Sequence, residues 1–203
     1  MAYNAEEEQE LEQLKSWWKD NYVVIILAVV VTFAGVFGWR YWQAHQANKI
    51  QEISAEYDRL IYGNQGIAAK EAQLSEFLKN NEKTSYAVLA LLDQAKQAVE
   101  NKDFAQAEKA LKQATQESDD HILQSIVAIR LAAVEYQQGK YDAALESLHL
   151  VKDAAWNSRK HLMTGDIWLA KGDKMTAKAS YELAKEHATP LEQQWLQVRL
   201  NNL

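Results

Sequence analysis

The amino-acid sequence predicts an all-α protein in which a single N-terminal transmembrane helix is followed by a solenoid of helical repeats. Three observations predict this class. Residues 22–39 carry no charged side chain, the 203 residues include one proline among many helix formers, and a helix–turn–helix pattern recurs in the second half. We therefore divide the chain into an acidic tail (1–21), a transmembrane helix (22–42) and a helical-repeat domain (43–203).

The composition excludes several classes of function. The formal net charge is −6 and the basic residues are dispersed, whereas nucleic-acid binding needs concentrated Lys and Arg side chains to contact phosphates. We therefore expect no nucleic acid among the partners. The chain has no cysteine, which excludes disulfide bonds, thiolate catalysis and Cys-ligated zinc.

The apolar run between Tyr22 and Trp39 has the length of a membrane span. Its residues would form about 27 Å of helix, close to the hydrocarbon thickness of a bilayer. A buried core helix would show a polar face, and this run has none. A cleaved signal peptide would begin with a short basic segment, whereas an acidic segment precedes this run. We therefore expect an uncleaved anchor, flanked by the aromatic residues typical of membrane interfaces: Trp17, Trp18, Tyr22, Trp39, Tyr41 and Trp42.

The charges around the anchor determine its orientation only weakly. Lys15 and Lys19 precede the run, together with the free amino group, and Arg40 and Lys49 follow it. The positive-inside rule therefore leans only slightly towards an N-terminus in the cytoplasm.

Two further N-terminal features leave alternatives open. Residues 5–14 are compatible with a short amphipathic helix or a solvated, mobile segment, and we expect the mobile segment. Ala34 and Gly38 form a small-xxx-small pair. The pair either allows another transmembrane helix to approach or reflects the abundance of small residues in such helices.

Helical spacing continues through the rest of the chain. We predict a turn over Gly63–Gly66 and helices over Ile67–Leu78 and Ser85–Glu100, with a last helix over Pro190–Leu200. Between them, three related segments begin at residues 101, 138 and 171, offset by 37 and then 33 residues. Each predicts a helix, a tight turn and a second helix in which a small apolar residue allows close packing at a helix crossing and a larger one fills the space behind it. The pairs are Ala107 with Leu111, Ala144 with Leu148, and Ala177 with Tyr181.

The three units resemble the tetratricopeptide repeat. In the second unit Glu135 stands where an aromatic residue is usual, and in the first unit Lys102 replaces the glycine of the turn. The resemblance implies helix pairs stacked as a solenoid, with the last helix as a cap. The third unit carries the signature most fully: Gly165, Trp168, Gly172, Asp173, Ala177, Tyr181 and Ala184.

In repeats of this kind the first helix of each pair lines the concave face. A mostly apolar groove there would suit an extended peptide or an amphipathic helix from a partner. Alternatively, the chain's own capping helix or the helix leading from the membrane covers that face, and its residues belong to the core. The predicted partner-binding residues are Leu89, Leu92, Val99, Ile126, Ile129, Tyr136, Leu162 and Leu169.

No catalytic, cofactor or metal motif accompanies this pattern. The five histidines do not form the H-E-x-x-H spacing of a zinc site, and the chain has no Gly-rich phosphate loop and no G-x-S-x-G elbow. We predict that the protein is not an enzyme and that it holds no cofactor and no metal ion.

The tail, the WWKDNY entry into the membrane helix and the repeats together resemble one family, the YfgM family of ancillary subunits of the SecYEG translocon. The resemblance implies an inner-membrane protein with a cytoplasmic N-terminus and a periplasmic repeat domain. It also implies contact with the translocon and the chaperone PpiD, transfer of translocated chains to periplasmic chaperones, and a restraint on RcsB from the cytoplasmic side.

These implications make a membrane-anchored adaptor at the Sec translocon the leading hypothesis. A structural or scaffold subunit of another bacterial envelope assembly complex is the alternative. A signalling protein that acts through its tail is a third hypothesis, and deletion of residues 2–15 would separate it from an adaptor.

Overall fold

The computed structural model describes residues 5–63, 67–117 and 119–203. All regular elements in this part of the chain are helices, apart from turns. The predicted turn over Gly63–Gly66 lies largely outside the described residues. The helices are α1 (Ala5–Tyr62), α2 (Ile67–Asn80), α3 (Ser85–Glu100), α4 (Phe104–Ala114), α5 (His121–Gln137), α6 (Tyr141–His149), α7 (Asn157–Ala170), α8 (Lys174–Glu186) and α9 (Pro190–Asn201), with a short 3₁₀ turn at Ala154–Trp156.

The first compact unit, residues 1–52, consists of most of the long helix α1. Within the described part of the chain, α1 is long and apolar enough to cross a membrane, and no other helix is. Its apolar side chains are exposed on all sides, Val23 and Phe37 by 60% and 64%. A helix that is apolar all round and that protein does not cover requires lipid as its solvent. The fold class that the sequence predicts is therefore confirmed for the anchor.

The structure differs from the prediction in the segment that precedes the anchor. Residues 5–14 are helical rather than a mobile segment, because Glu, Gln, Leu and Ala are strong helix formers and no breaker separates them from the span. The same helix continues through residues 21–22 and 42–43 without a break. The division into tail, anchor and repeat domain therefore stays a prediction.

The second compact unit begins at Ile53 and includes the last turns of α1. Ile53 and Leu60 are buried in a small cluster with Phe77 of α2 and Ala90 of α3. The Tyr57 ring packs at 6.4 Å from the ring of Phe77. The helix that leaves the anchor therefore ends as a packed element of the helical domain.

Three helix pairs follow, α3 with α4, α5 with α6, and α7 with α8. The six residues predicted to form the crossings are all buried: Ala107, Leu111, Ala144, Leu148, Ala177 and Tyr181. Burial of a small residue beside a large one allows the two helices of a pair to approach while the core stays filled. The burial that the predicted roles require is therefore observed.

The first helix of each pair ends in the same hydrogen-bonded turn. The residue after the helix cap takes a left-handed conformation, with φ of 61° at Lys102, 74° at Gly139 and 86° at Gly172. The next amide donates to a carbonyl five residues back, as in a Schellman motif. These bonds are Asp103 N to Ala98 O at 2.8 Å, Lys140 N to Glu135 O at 2.9 Å and Asp173 N to Trp168 O at 2.9 Å.

A cluster of charged residues joins the first two repeats. The Glu108 carboxylate accepts hydrogen bonds from the Nζ atoms of Lys112 and Lys140, both at 2.7 Å. The hydrogen bond from Lys112, followed by that from Lys140, lowers the pKa of Glu108 to about 2. Glu135 is 1% exposed and accepts a 2.6 Å hydrogen bond from the Ser147 hydroxyl. The carboxylate at the usual aromatic position is therefore satisfied inside the core.

The third repeat is packed around an aromatic ring. Tyr181 of α8 is 1% exposed, and a Cβ atom added at Gly165 of α7 would lie within 3.0 Å of its ring. The Tyr181 hydroxyl donates to Asp166 Oδ1 at 2.7 Å, and Arg199 of α9 pairs with the same carboxylate. Burial, and then the hydrogen bond to Asp166, raises the pKa of Tyr181 to about 12.

Candidate functional groove

The structure distributes the predicted partner-binding residues over the first helices of the three pairs. Leu89, Leu92 and Val99 lie on α3, Ile126, Ile129 and Tyr136 on α5, and Leu162 and Leu169 on α7. Their exposure falls into three groups. Leu89, Val99 and Leu169 are 37–39% exposed, Ile126, Tyr136 and Leu162 are half-buried, and Leu92 and Ile129 are 6% and 7% exposed.

The buried members of this set have a structural role. Leu92 belongs to the core cluster formed by α3, α4 and α5, and Ile129 belongs to the cluster that joins α5, α6 and α7. Tyr136 packs against the ring of Tyr141 at 5.7 Å. Contact between any of the eight residues and a partner stays a prediction, and the exposed leucine and valine side chains are the best placed to make one.

A groove of about 780 Å³ lies between α3 and α5, with α4 contributing to its wall. Two of the predicted residues, Leu92 and Val99, line it, and the other six do not. The groove is also lined by apolar residues from all three helices that are not among the predicted partner-binding residues: Ala95, Phe104, Leu111, Ala133 and Val134. Its volume lies in the range of known ligand sites, about 300–1,000 Å³.

On α5 the groove is lined by residues one position away from those predicted to bind a partner. The predicted partner-binding residues are Ile126, Ile129 and Tyr136, whereas Arg130, Ala133 and Gln137 line the groove at a similar helical spacing. One residue corresponds to a rotation of about 100° around the helix axis. The apolar periodicity favoured the first set because that set follows the core, and the residue spacing gave no signal for Arg130.

Basic side chains predominate at the edge of the groove. Lys96, Lys102 and Arg130 line it together with one acidic residue, Glu100. The Lys96 and Glu100 side chains are 3.9 Å apart and both are largely exposed. Within the described ranges neither Lys102 nor Arg130 has an ion-pair partner. The groove edge is therefore locally positive on a chain whose formal net charge is −6.

The described residues form no candidate metal site. Among them, no three His, Cys, Asp or Glu side chains are grouped so that they could hold a metal ion. The rings of His161 and His187 are stacked, with centroids 6.0 Å apart. Burial, and then the neighbouring Lys160, lowers the pKa of His161, which favours the neutral ring.

Comparison with known proteins places this architecture in a family. The family model of a tetratricopeptide repeat-like domain matches residues 15–203. The ancillary SecYEG translocon subunit of Aggregatibacter actinomycetemcomitans is 60% identical over 204 residues, which cover 100% of both chains. The chain belongs to the family of ancillary SecYEG translocon subunits. Members from Haemophilus influenzae and Escherichia coli are 52% and 29% identical, over 100% and 97% of this chain and 100% and 96% of their own lengths.

A solved structure extends the comparison to the fold. The type III secretion translocator chaperone SycD of Yersinia enterocolitica superposes with a TM-score of 0.53, covering 62% of this chain and 96% of its own. At 22% identity this likeness concerns the fold alone. Membership in the family, together with the apolar span of α1, indicates an inner-membrane protein with a tetratricopeptide-like domain.

Proposed function

We propose that this protein is a membrane-anchored adaptor at the Sec translocon, which binds other proteins through its helical-repeat domain. The observation that carries the proposal is the full-length identity of 60% and 52% to ancillary SecYEG translocon subunits. This similarity includes the anchor as well as the repeats. It therefore favours membership of the same membrane complex, whereas similarity of the repeats alone would indicate only a common type of repeat domain. On this basis, the SecYEG translocon is the first partner that we assign to the chain.

In the proposed orientation the N-terminus is in the cytoplasm and the repeats are in the periplasm. The anchor would then hold the repeat domain beside the exit of the translocon, where tethering raises its effective concentration for emerging chains. The apolar groove between α3 and α5 offers a surface for such a chain or for a periplasmic chaperone such as PpiD.

The absence of cysteine makes this orientation directly testable. Single-cysteine variants Gln13→Cys and Met175→Cys place one thiol on each side of the span, and Met175 is 83% exposed. In intact spheroplasts a membrane-impermeant maleimide should label Met175→Cys and spare Gln13→Cys until the membrane is permeabilised. The opposite labelling pattern would contradict the proposed orientation.

Photocrosslinking in intact cells tests the partners. A probe at Tyr22 reports on the membrane segment, and a probe at Val99 reports on the groove. Leu183 on α8 is the matched control, since it is 44% exposed against 39% for Val99 and does not line the groove. A third probe at Tyr136 examines the predicted face of α5.

Two results would support the adaptor. The probe at Tyr22 should form adducts with SecYEG subunits, and the probe at Val99, but not the probe at Leu183, should form adducts with a chaperone or a translocated chain. Adducts confined to other envelope assembly proteins would favour the scaffold alternative. Equal adducts from Val99 and Leu183 would remove the groove from the proposal.

The helical N-terminal segment is the part of the chain that could act on RcsB in this orientation, because it would lie in the cytoplasm. Deletion of residues 2–15 separates this role from the adaptor role. We expect the deletion to leave the crosslinks of Tyr22 and Val99 unchanged and to alter the output of the RcsB pathway. An unchanged output would remove RcsB from the list of partners.

A further inference from the structure

The groove between α3 and α5 combines an apolar interior with a basic edge. Leu92 and Leu111 contribute buried surface, and Val99 is 39% exposed within the groove. An apolar side chain placed in the groove would contact this apolar surface and lose part of its exposure to water. Apolar burial supplies affinity, and the polar groups at the edge decide which segment is accepted.

The edge of the groove carries more basic than acidic side chains. Lys96 and Glu100 form one exposed pair, at 3.9 Å. Lys102 and Arg130 remain as two basic side chains without an ion-pair partner among the residues that the structure describes. An apolar segment without charge would leave both of them unused, whereas a segment with a carboxylate would complement them.

We propose that the groove binds an apolar peptide segment that carries an acidic residue, with Arg130 as the group that pairs with the carboxylate. The proposal rests on the function proposed above, because it specifies which segments of a partner protein the groove accepts. The apolar residues of the segment contact Val99 and Phe104, and its carboxylate lies at the edge beside Arg130.

Arg130 is better placed for this pairing than Lys102. Lys102 directly follows the C-cap residue of α3, where the partial negative charge of the helix C-terminus opposes a carboxylate. Arg130 lies near the middle of α5, away from both helix ends. Its guanidinium group presents paired donors that match a carboxylate, which a lysine ammonium group does not.

Two peptides test the proposal on the full-length protein in lipid nanodiscs. One is a fluorescein-labelled nine-residue peptide of Leu, Val and Ala with a central Glu, and the other has Gln in place of the Glu. Fluorescence anisotropy gives the affinity of each peptide. We expect the Glu peptide to bind about threefold to tenfold more tightly, because the pairing is charge-assisted but lies at an exposed edge. The difference should shrink at high salt.

Two pairs of variants separate the charge from the apolar contact. Arg130→Gln should remove the preference for the Glu peptide. Its control Lys178→Gln, which changes another exposed basic residue on α8, should retain that preference. Val99→Ser should weaken both peptides about equally, and its control Leu183→Ser should weaken neither. All four positions are exposed, so circular dichroism should show that each variant keeps its helical content.

Equal affinity for the Glu and Gln peptides, or no binding of either, would overturn the proposal. Equal effects of Arg130→Gln and Lys178→Gln would also overturn it, since the preference would then reflect net charge. If the protein stopped binding the peptides when it self-associates, the groove would instead bind a second copy of the chain, and the proposal would be overturned. In each of these cases the Tyr22 crosslinks to SecYEG subunits would still decide the adaptor function by themselves.

Discussion

In the second repeat, Ala132 of α5 and Leu148 of α6 are buried in one core cluster. The corresponding positions in the third repeat, 33 residues later, are Gly165 of α7 and Tyr181 of α8. In the third repeat the small residue is smaller than in the second, and the large residue is larger. The summed side-chain volume of the pair therefore differs less between the two repeats than the volume at either position. The comparison indicates that these crossings select for the volume of a pair rather than for one residue type.

The two repeats also differ in how they treat buried polar atoms. Glu135 in the second repeat bonds to Ser147, and Lys112 lies 3.8 Å from its carboxylate. In the third repeat the polar atom is the hydroxyl of Tyr181, which donates to Asp166. The second repeat therefore depends on a carboxylate cluster, whereas the third depends on an aromatic ring with one hydrogen bond.

The largest expected effect comes from breaking the pair in the third repeat. Gly165→Ala would normally stabilise a helix by about 0.5–1 kcal/mol, but here the new Cβ meets the Tyr181 ring. We expect a net destabilisation of about 1–3 kcal/mol, typical of overpacking. Tyr181→Leu should cost about 2–4 kcal/mol through the lost volume and the lost hydrogen bond.

The double variant Gly165→Ala with Tyr181→Leu recreates the pair found in the second repeat. We expect it to be more stable than the sum of the single effects predicts, by about 0.5–3 kcal/mol of coupling. Urea denaturation followed by circular dichroism measures all four proteins. Additive effects would mean that the repeats are not equivalent at this crossing.

The second prediction separates the carboxylate cluster from the aromatic pair by pH. The folded pKa of Glu108 is lowered to about 2 from an ordinary 4.5. Its contribution to stability is therefore complete above pH 4.5 and is lost as the pH falls towards 2. The folded pKa of Tyr181 is raised to about 12 from 10.0, so its contribution is complete below pH 10 and is lost as the pH rises towards 12.

Glu108→Gln should cost about 1–2 kcal/mol at neutral pH, because both lysines keep access to water. It should also flatten the acid limb of the stability profile and leave the alkaline limb unchanged. Glu146→Gln, on the exposed side of α6, is the control and should change the stability by less than about 0.5 kcal/mol. If stability fell with the same slope at acid pH in Glu108→Gln and in the parent protein, other carboxylates would be responsible for the loss of stability in acid.

The contrast between the repeats also indicates what the sequence alone predicts well. The six crossing residues follow from apolar spacing, and all six are buried as predicted. Glu135 does not fit that spacing, because its burial depends on Ser147 of α6 and Lys112 of α4, which are distant in sequence. Long-range hydrogen bonds leave no periodic signal, so the cluster could not have been predicted from residue spacing.

The same limit applies to the candidate groove. Val99 and Leu92 were predicted from the apolar face of α3, and both line the groove. Arg130 was not predicted, because a charged residue beside a core position normally indicates a solvated surface. Its place in the groove depends on the angle between α3 and α5, which the sequence pattern does not determine.

The smallest expected effect is that of Lys102→Gly, in the turn where the first repeat differs from the other two. Lys102 has a φ of 61°, in the region that Gly139 and Gly172 occupy without steric cost. Lys102→Gly should therefore stabilise the protein by about 0.5–1 kcal/mol, and Gly172→Ala should destabilise it by about 1–2 kcal/mol. Urea midpoints measure both changes. If Lys102→Gly instead lowered the midpoint, the Lys102 side chain would have to make a stabilising contact that outweighs the cost of its backbone conformation, and the three turns would then be equal in geometry but not in energy.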